Sequence, residues 1–349
     1  MNLESAPYDS ILFVSFGGPE GMDDVLPFLE NVLRGKNVPH ERMLEVAEHY
    51  RHFGGISPIN EQNRQLIDAV RDELVRVGIT LPIYWGNRNW HPLLPETLQR
   101  MRDDGCQKTI AFFTSMFSCY SGCRQYRENI SEAQQVVGPG APHVDKVRKG
   151  FNHPLFIAAQ ADLLRQALAT LTEERRQGTR VLFTAHSIPK SMSDNSRYVV
   201  QLNEACRLVA EEVGQVTWEL VYQSRSGPPQ QPWLEPDICE RIEQLADEHV
   251  RDVIIVPIGF ISDHMEVLFD LDTEAKQTCE NLGMGCIRVP SVGTHPHFVR
   301  MICDLLVERM QGRSERPAIG KLGPSHDVCP VDCCLYPRPQ RPTQVSHSS

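Results

Sequence analysis

The sequence has no surplus of basic residues, no long apolar run and no leader-like start. Its 35 Lys and Arg face 45 Asp and Glu, giving a formal net charge of −10. Neutralising a phosphate backbone requires a basic surface, so a nucleic-acid binder is excluded. The longest apolar stretch, 253–261, is half the roughly 18 residues of a membrane span and contains Pro257 and Gly259. Residues 1–10 are polar and acidic, with neither a basic nor an apolar leader region, so no secretory signal is expected. With 41% hydrophobic and 23% charged residues, the 349-residue chain is not predominantly disordered, collagen-like or a disulfide miniprotein. Eleven cysteines are present. An odd count without a leader argues against a disulfide framework and for a reducing, cytoplasmic compartment, where most thiols pack as small apolar groups.

The length suggests two domains. Short apolar runs at 11–16, 81–86, 109–114, 180–185, 218–222, 252–260 and 286–289 alternate with helical stretches at 63–77, 154–177, 197–213, 236–249, 266–282 and 297–310. Strands apolar on both faces are expected in parallel sheets covered by helices. The pattern predicts an α/β chain with two Rossmann-like, doubly wound halves, 1–150 and 151–312. A Gly- and Pro-rich crossover is expected near 138–153. No internal repeat is evident in the sequence. Beyond residue 312 the composition shifts to a Cys-rich segment, and 337–349 reads as a disordered tail.

In open parallel sheets, ligands bind beyond the carboxyl ends of the strands. That edge collects Phe16, Arg88, Trp90, Cys119, Cys123, Tyr126, His186, His264 and Glu266, a mixture suited to a flat, partly apolar ligand with anionic groups and a metal. His186 ends an apolar strand before Ser-Ile-Pro; it reads either as a packed histidine or as a proton acceptor or metal ligand. Asp263-x-x-Glu266 has the form of a helix capping box. Yet Glu266, Asp270 and Glu274 recur at i, i+4 and i+8, which is either a solvated face or a ladder of hard oxygen donors for a divalent cation. Phe16-Gly17-Gly18-Pro19 lacks the spacing of a dinucleotide or P-loop motif and reads as a tight strand-to-helix turn. Cys329, Cys333 and Cys334 crowd three thiols into six polar residues. One further thiolate would complete a four-cysteine site for zinc or an iron–sulfur cluster.

Five segments taken in order, Ser15-Phe-Gly-Gly-Pro19, Phe53-Gly-Gly-Ile-Ser-Pro-Ile-Asn60, Thr184-Ala-His-Ser-Ile-Pro189, Gln223-Ser-Arg-Ser-Gly-Pro228 and Pro257-Ile-Gly-Phe-Ile-Ser-Asp-His-Met-Glu266, resemble the ferrochelatase family. The likeness runs from about residue 8 to 312 and implies two Rossmann-like halves enclosing a porphyrin cleft. It implies a lyase-class chelatase of haem biosynthesis that takes Fe²⁺ and a porphyrin as substrates. His186 and Glu266 match the catalytic pair, and Asp270 and Glu274 match the acidic row that relays metal or protons. Ser57 and Tyr126 match porphyrin contacts, and Arg34 matches a propionate-binding arginine. Cys123, Cys329, Cys333 and Cys334 are similar to the ligands of a [2Fe–2S] cluster, with Cys119 an alternative to Cys123. Phe16 stands where some Gram-positive members carry a metal-facing tyrosine, so no axial phenolate is expected.

The 121–129 segment and the tail cysteines are similar to actinobacterial-type enzymes, which implies coproporphyrin III as substrate. Protoporphyrin IX is the alternative, followed by a cobalt or nickel tetrapyrrole chelatase and a non-catalytic haem carrier. No amphipathic segment for a stable membrane anchor is visible, and a monomer is expected.

Overall fold

The computed structural model describes residues 8–35, 38–214, 216–227 and 230–336. Strands β1 (Ser10–Ser15), β2 (Ile83–Asn87), β3 (Lys108–Phe113) and β4 (His143–Lys146) form a parallel sheet in the order β2-β1-β3-β4. Strands β5 (Arg180–His186), β6 (Trp218–Gln223), β7 (Asp252–Val256) and β8 (Gly285–Arg288) repeat that order as β6-β5-β7-β8. The sequence carries no matching repeat, because either half can fill the same strand positions with different apolar side chains. All six β1 residues and all five β7 residues are buried, as strands covered on both faces require.

The strand order reverses at β1 in one sheet and at β5 in the other, and ligands of such sheets bind at the carboxyl ends of the strands beside the reversal. One large apolar core joins the halves: Phe13 and Phe112 of the first sheet belong to the same cluster as Phe183 and Val256 of the second. Helix Pro296–Met310 packs against helices Ile59–Arg76 and Pro154–Ala169, bridging the two sheets from behind. On the cleft side, the Gln62 side chain accepts from the Asp263 amide at 2.8 Å.

Three expectations need correction. The segment at 138–153 is more than a crossover, since it contains β4, a short polar edge strand paired only to β3. The helix expected over 154–177 breaks after Ala169, and Thr172 caps a separate short helix, Glu173–Gly178. The helix expected over 266–282 divides into a helical turn, Met265–Val267, a π-helical segment, Leu268–Ala275, and an α-helix, Lys276–Asn281. The segment after Gly312 folds back on the junction of the two halves: Ile319 donates to the Asn152 carbonyl at 3.0 Å, and buried Arg148 reaches the Pro317 carbonyl at 2.9 Å. The disordered stretch expected at 337–349 lies outside the described residues. All eleven cysteines are free thiols.

Candidate active site

β5 delivers His186 to the cleft at its last residue. Behind it, Tyr198 donates its hydroxyl to the His186 carbonyl at 3.0 Å. The loop after β7 crosses so close that a Cβ on Gly259 would lie 2.7 Å from Ala185 Cα. Only glycine permits that approach, which fixes the backbone just ahead of the histidine. The ring Nδ1 contacts the Ser187 carbonyl, which can only accept, so Nδ1 carries the hydrogen. In the neutral ring, the lone pair is then on Nε2, which faces Glu266 Oε2 at 3.7 Å. That separation is too long for a hydrogen bond.

The capping-box reading of Asp263 and Glu266 does not hold. His264 occupies the N-cap position without a side-chain cap bond. The Asp263 carboxylate is instead held by Arg288 of β8 at 2.8 Å and by the Ser291 hydroxyl at 2.7 Å. Glu266 is therefore free of a capping role, and its side chain is half-exposed.

The row Glu266, Asp270, Glu274 starts in the turn Met265–Val267 and continues along the π-helical segment, with both glutamates exposed and Asp270 partly buried between them. Asp270 accepts from the Ser224 hydroxyl and from Gln223 Nε2, the latter at 3.2 Å. Ser224 adopts a left-handed φ of 61°, a strained conformation that brings its hydroxyl to the carboxylate. Burial pushes the Asp270 carboxyl up to about 7; Glu266 and Glu274 add to the rise, while Ser224 and Gln223 oppose it. Burial also raises the Glu274 carboxyl and lowers the His264 imidazole. The row thus has a central carboxyl that exchanges a proton near neutrality, flanked by two exposed carboxylates.

The first half covers this row. His49, on helix His40–His52, stacks on Phe269 at 3.8 Å, and Met265 packs into the apolar cluster formed by Val25, Phe28, Met43 and Tyr50. Opposite, Phe16 and Tyr126 are linked by Arg88, whose guanidinium lies 5.7 Å and 4.7 Å from their ring centres. Arg88 is fixed by Asn129 Oδ1 at 2.7 Å, and Tyr126 stacks on Phe113. A cation held by aromatic rings and an amide keeps charge for an anionic ligand. Sequence reasoning noted Arg88 after its strand but did not select it; its two aromatic partners are distant in sequence, and only the fold joins them. Ser57 is buried against Gly18, where an added Cβ would lie 2.8 Å from the serine Cβ. Arg34 is exposed at the end of helix Met22–Leu33 and bonds to Asn31.

A second cluster forms where the returning tail meets the loop after β3. That loop ends in a π-helical turn, Tyr120–Arg124. Cys119 Sγ accepts from the Gly122 amide at 3.2 Å, and burial pushes its thiol up to about 11. The Cys123 thiol is lowered to about 5, first by a hydrogen bond from Cys329 and then by Lys149, Lys146 and Arg127, against the effect of burial. Of the two alternatives, Cys123 interacts with the tail cysteine Cys329, whereas Cys119 is engaged with its own turn. Cys333 Sγ lies 3.6 Å from Cys334 Sγ and 3.8 Å from His326 Nε2. His326, Cys329 and Cys333 place donor atoms within 4.8 Å of one another, a group able to hold a metal ion. The sequence reading did not select His326. Arg124 and Arg127 bind the Cys333 carbonyl and dock the tail.

Among the described residues, no helix is long and apolar enough to cross a membrane. The fold resembles that of SirB from Bacillus subtilis with Fe³⁺, at a TM-score of 0.53 and 11% identity over 86% of this chain and 94% of that one. A protein named ferrochelatase from Rhodopirellula baltica is 63% identical over 340 residues, covering 97% of this chain and 96% of its own. One named coproporphyrin III ferrochelatase from Streptomyces griseus is 50% identical, covering 95% of this chain and 94% of its own. The ferrochelatase family model matches residues 8–310, which takes in both sheets, His186 and the acidic row. The chain belongs to the ferrochelatase family.

Proposed function

We propose that this ferrochelatase inserts Fe²⁺ into coproporphyrin III in the cleft between 1–150 and 151–312, and that it works in the cytoplasm. The observation that carries the reading is His186 Nε2 facing Glu266 Oε2 at 3.7 Å, at the head of a carboxylate row. Metal insertion must remove two pyrrole protons and strip water from the ion. His186 accepts a pyrrole proton at Nε2, and Glu266 stabilises the imidazolium that results. Asp270, titrating near neutrality, passes charge between the cleft and Glu274 at the exposed end of the row. Distortion of the macrocycle exposes its nitrogen lone pairs, driven by binding energy from the ring and its carboxylates. Tyr126, Phe16 and Ser57 line the ring side, and Arg88 joins Arg34 as a propionate-binding group. Coproporphyrin III is favoured because several relatives, including those from Streptomyces griseus and Streptomyces coelicolor, carry it in their names.

Cys123, Cys329, Cys333 and Cys334 fit a [2Fe–2S] cluster: the four thiols form two close pairs, Cys123 with Cys329 and Cys333 with Cys334. When bound, such a cluster supplies one-electron redox chemistry and ties the tail to the first half. The Cys123–Cys329 interaction and the Arg124 and Arg127 contacts to the tail backbone pre-form that connection. Anaerobically purified protein is expected to contain iron and sulfide with visible absorbance, both lost in Cys333→Ser. A colourless wild type refutes the cluster.

The substrate is tested by anaerobic turnover of coproporphyrin III and protoporphyrin IX side by side with Fe²⁺. Faster coproporphyrin III metallation is expected. Preference for protoporphyrin IX refutes the assignment, and tight haem binding without insertion refutes the enzymatic role.

A further inference from the structure

Lys149 follows β4 and is 6% exposed. Its ammonium donates to the Ser115 carbonyl at 2.6 Å and the Gly122 carbonyl at 2.7 Å, and it lies 5.6 Å from the Phe113 ring centre. Among the described residues, no carboxylate pairs with it. A buried ammonium without a counter-ion is costly, because two carbonyl dipoles and a ring replace water only in part. Burial lowers the Lys149 ammonium, and Cys123, Cys119 and Cys329 act against that lowering. Lys149 is anchored to Gly122, the residue beside Cys123, so its charge is held under the loop that meets the tail. The neighbouring Arg148 is also buried, yet it is neutralised by Glu308 at 2.7 Å. Of two adjacent buried cations, one has its carboxylate, and the other is held by two carbonyls and a ring beside the cysteine loop.

We propose that Lys149 is the built-in counter-charge of the tail metal centre, stabilising the negative charge of its thiolate ligands and tuning its one-electron potential. The inference rests on the cluster reading above. A four-thiolate [2Fe–2S] centre is a dianion when oxidised and a trianion after gaining one electron, with no bond made or broken. A fixed positive charge beside it therefore favours the reduced form, and removing that charge lowers the potential. The carbonyl contacts alone would give Lys149 a purely structural role, holding the 115–122 loop in shape, and two variants separate the roles. Lys149→Gln keeps amide N–H donors but loses the charge; Lys149→Arg keeps the charge but changes the shape.

The test is anaerobic spectroelectrochemical titration of the full-length holoprotein, followed by visible absorbance and electron paramagnetic resonance. The electrode supplies the electron, and iron and sulfide are assayed in each sample. In Lys149→Gln the reduction equilibrium constant is expected to fall at least tenfold, about 59 mV for one electron. Lys149→Arg should stay within threefold of wild type. Loss of the cluster from Lys149→Gln alone, with wild-type melting, also supports the proposal. An unchanged potential in Lys149→Gln overturns it. So does equal cluster loss in both variants, because that pattern marks a structural role. Wild type without iron and sulfide removes the cluster reading and the proposal together, an outcome distinct from a loaded wild type with an unmoved potential.

Discussion

Ser224→Ala isolates the proton relay, because it changes the environment of Asp270 without touching the row. The Ser224 hydroxyl donates to the Asp270 carboxylate and is the largest influence opposing the rise caused by burial. A hydrogen bond to a charged group contributes about 1.5–3 kcal/mol. At 1.36 kcal/mol per pH unit, its loss moves Asp270 ionisation upward by about one to two units. Wild-type Asp270 titrates at about 7, so half of it is ionised at neutrality. In the variant, about a tenth or less is ionised there, and turnover limited by the relay falls at least about fivefold at pH 7. The loss should disappear at high pH, where both proteins are fully ionised. The assay is initial-rate Fe²⁺ insertion into coproporphyrin III across a pH series, with buffer and ionic strength matched. An upward shift of the acid limb with an unchanged plateau is the expected result. An unmoved limb in a variant of wild-type melting temperature refutes the relay role. A uniform loss at every pH assigns Ser224 to positioning instead.

Other outcomes follow from the same geometry. Because the folded-state carboxyl of Asp270 is raised from 3.8 to about 7, the native state holds a proton that the unfolded chain releases. Its contribution is present below the unfolded value and is lost as pH rises through about 7. Asp270→Asn should therefore be more stable than wild type at pH 8, by up to about 4 kcal/mol in urea titrations, with the gain shrinking toward pH 4. A gain that grows as pH falls contradicts the raised carboxyl. Gly259→Ala forces its methyl against Ala185 and should cost about 1–3 kcal/mol while displacing His186; turnover at the wild-type level in that variant would show that the backbone there is not fixed. Glu308→Ala leaves Arg148 buried without its partner and should cost about 3–5 kcal/mol in the same titration. A loss below 1 kcal/mol would mean that water reaches the guanidinium.

Much of this arrangement was legible in the sequence for a physical reason. Strands such as β1 and β7 are apolar on both faces, so their composition alone distinguishes them from helices. Their carboxyl ends then locate His186 and Glu266 without knowledge of the packing. The unexpected strand, β4, is four residues at a sheet edge, three of them polar, where no alternation or apolar run betrays it. The capping-box reading failed because Asp263 has a better partner in Arg288, which is close only after β7 and β8 pair. The π-helical segment is invisible to a pattern search because the acidic spacing suits an ordinary helix equally well. Cys119 and Cys123 belong to one short loop and differ only in what faces them, so composition alone leaves them equivalent.

The central claim is that His186 accepts the pyrrole proton in a cleft that binds porphyrin independently of that step. Its most direct test is His186→Ala, with coproporphyrin III affinity measured by fluorescence and anaerobic Fe²⁺ insertion measured on the same preparation. The account predicts porphyrin binding within severalfold of wild type and loss of insertion by at least about a hundredfold, the scale of general-base catalysis. Near-normal insertion by His186→Ala would contradict it.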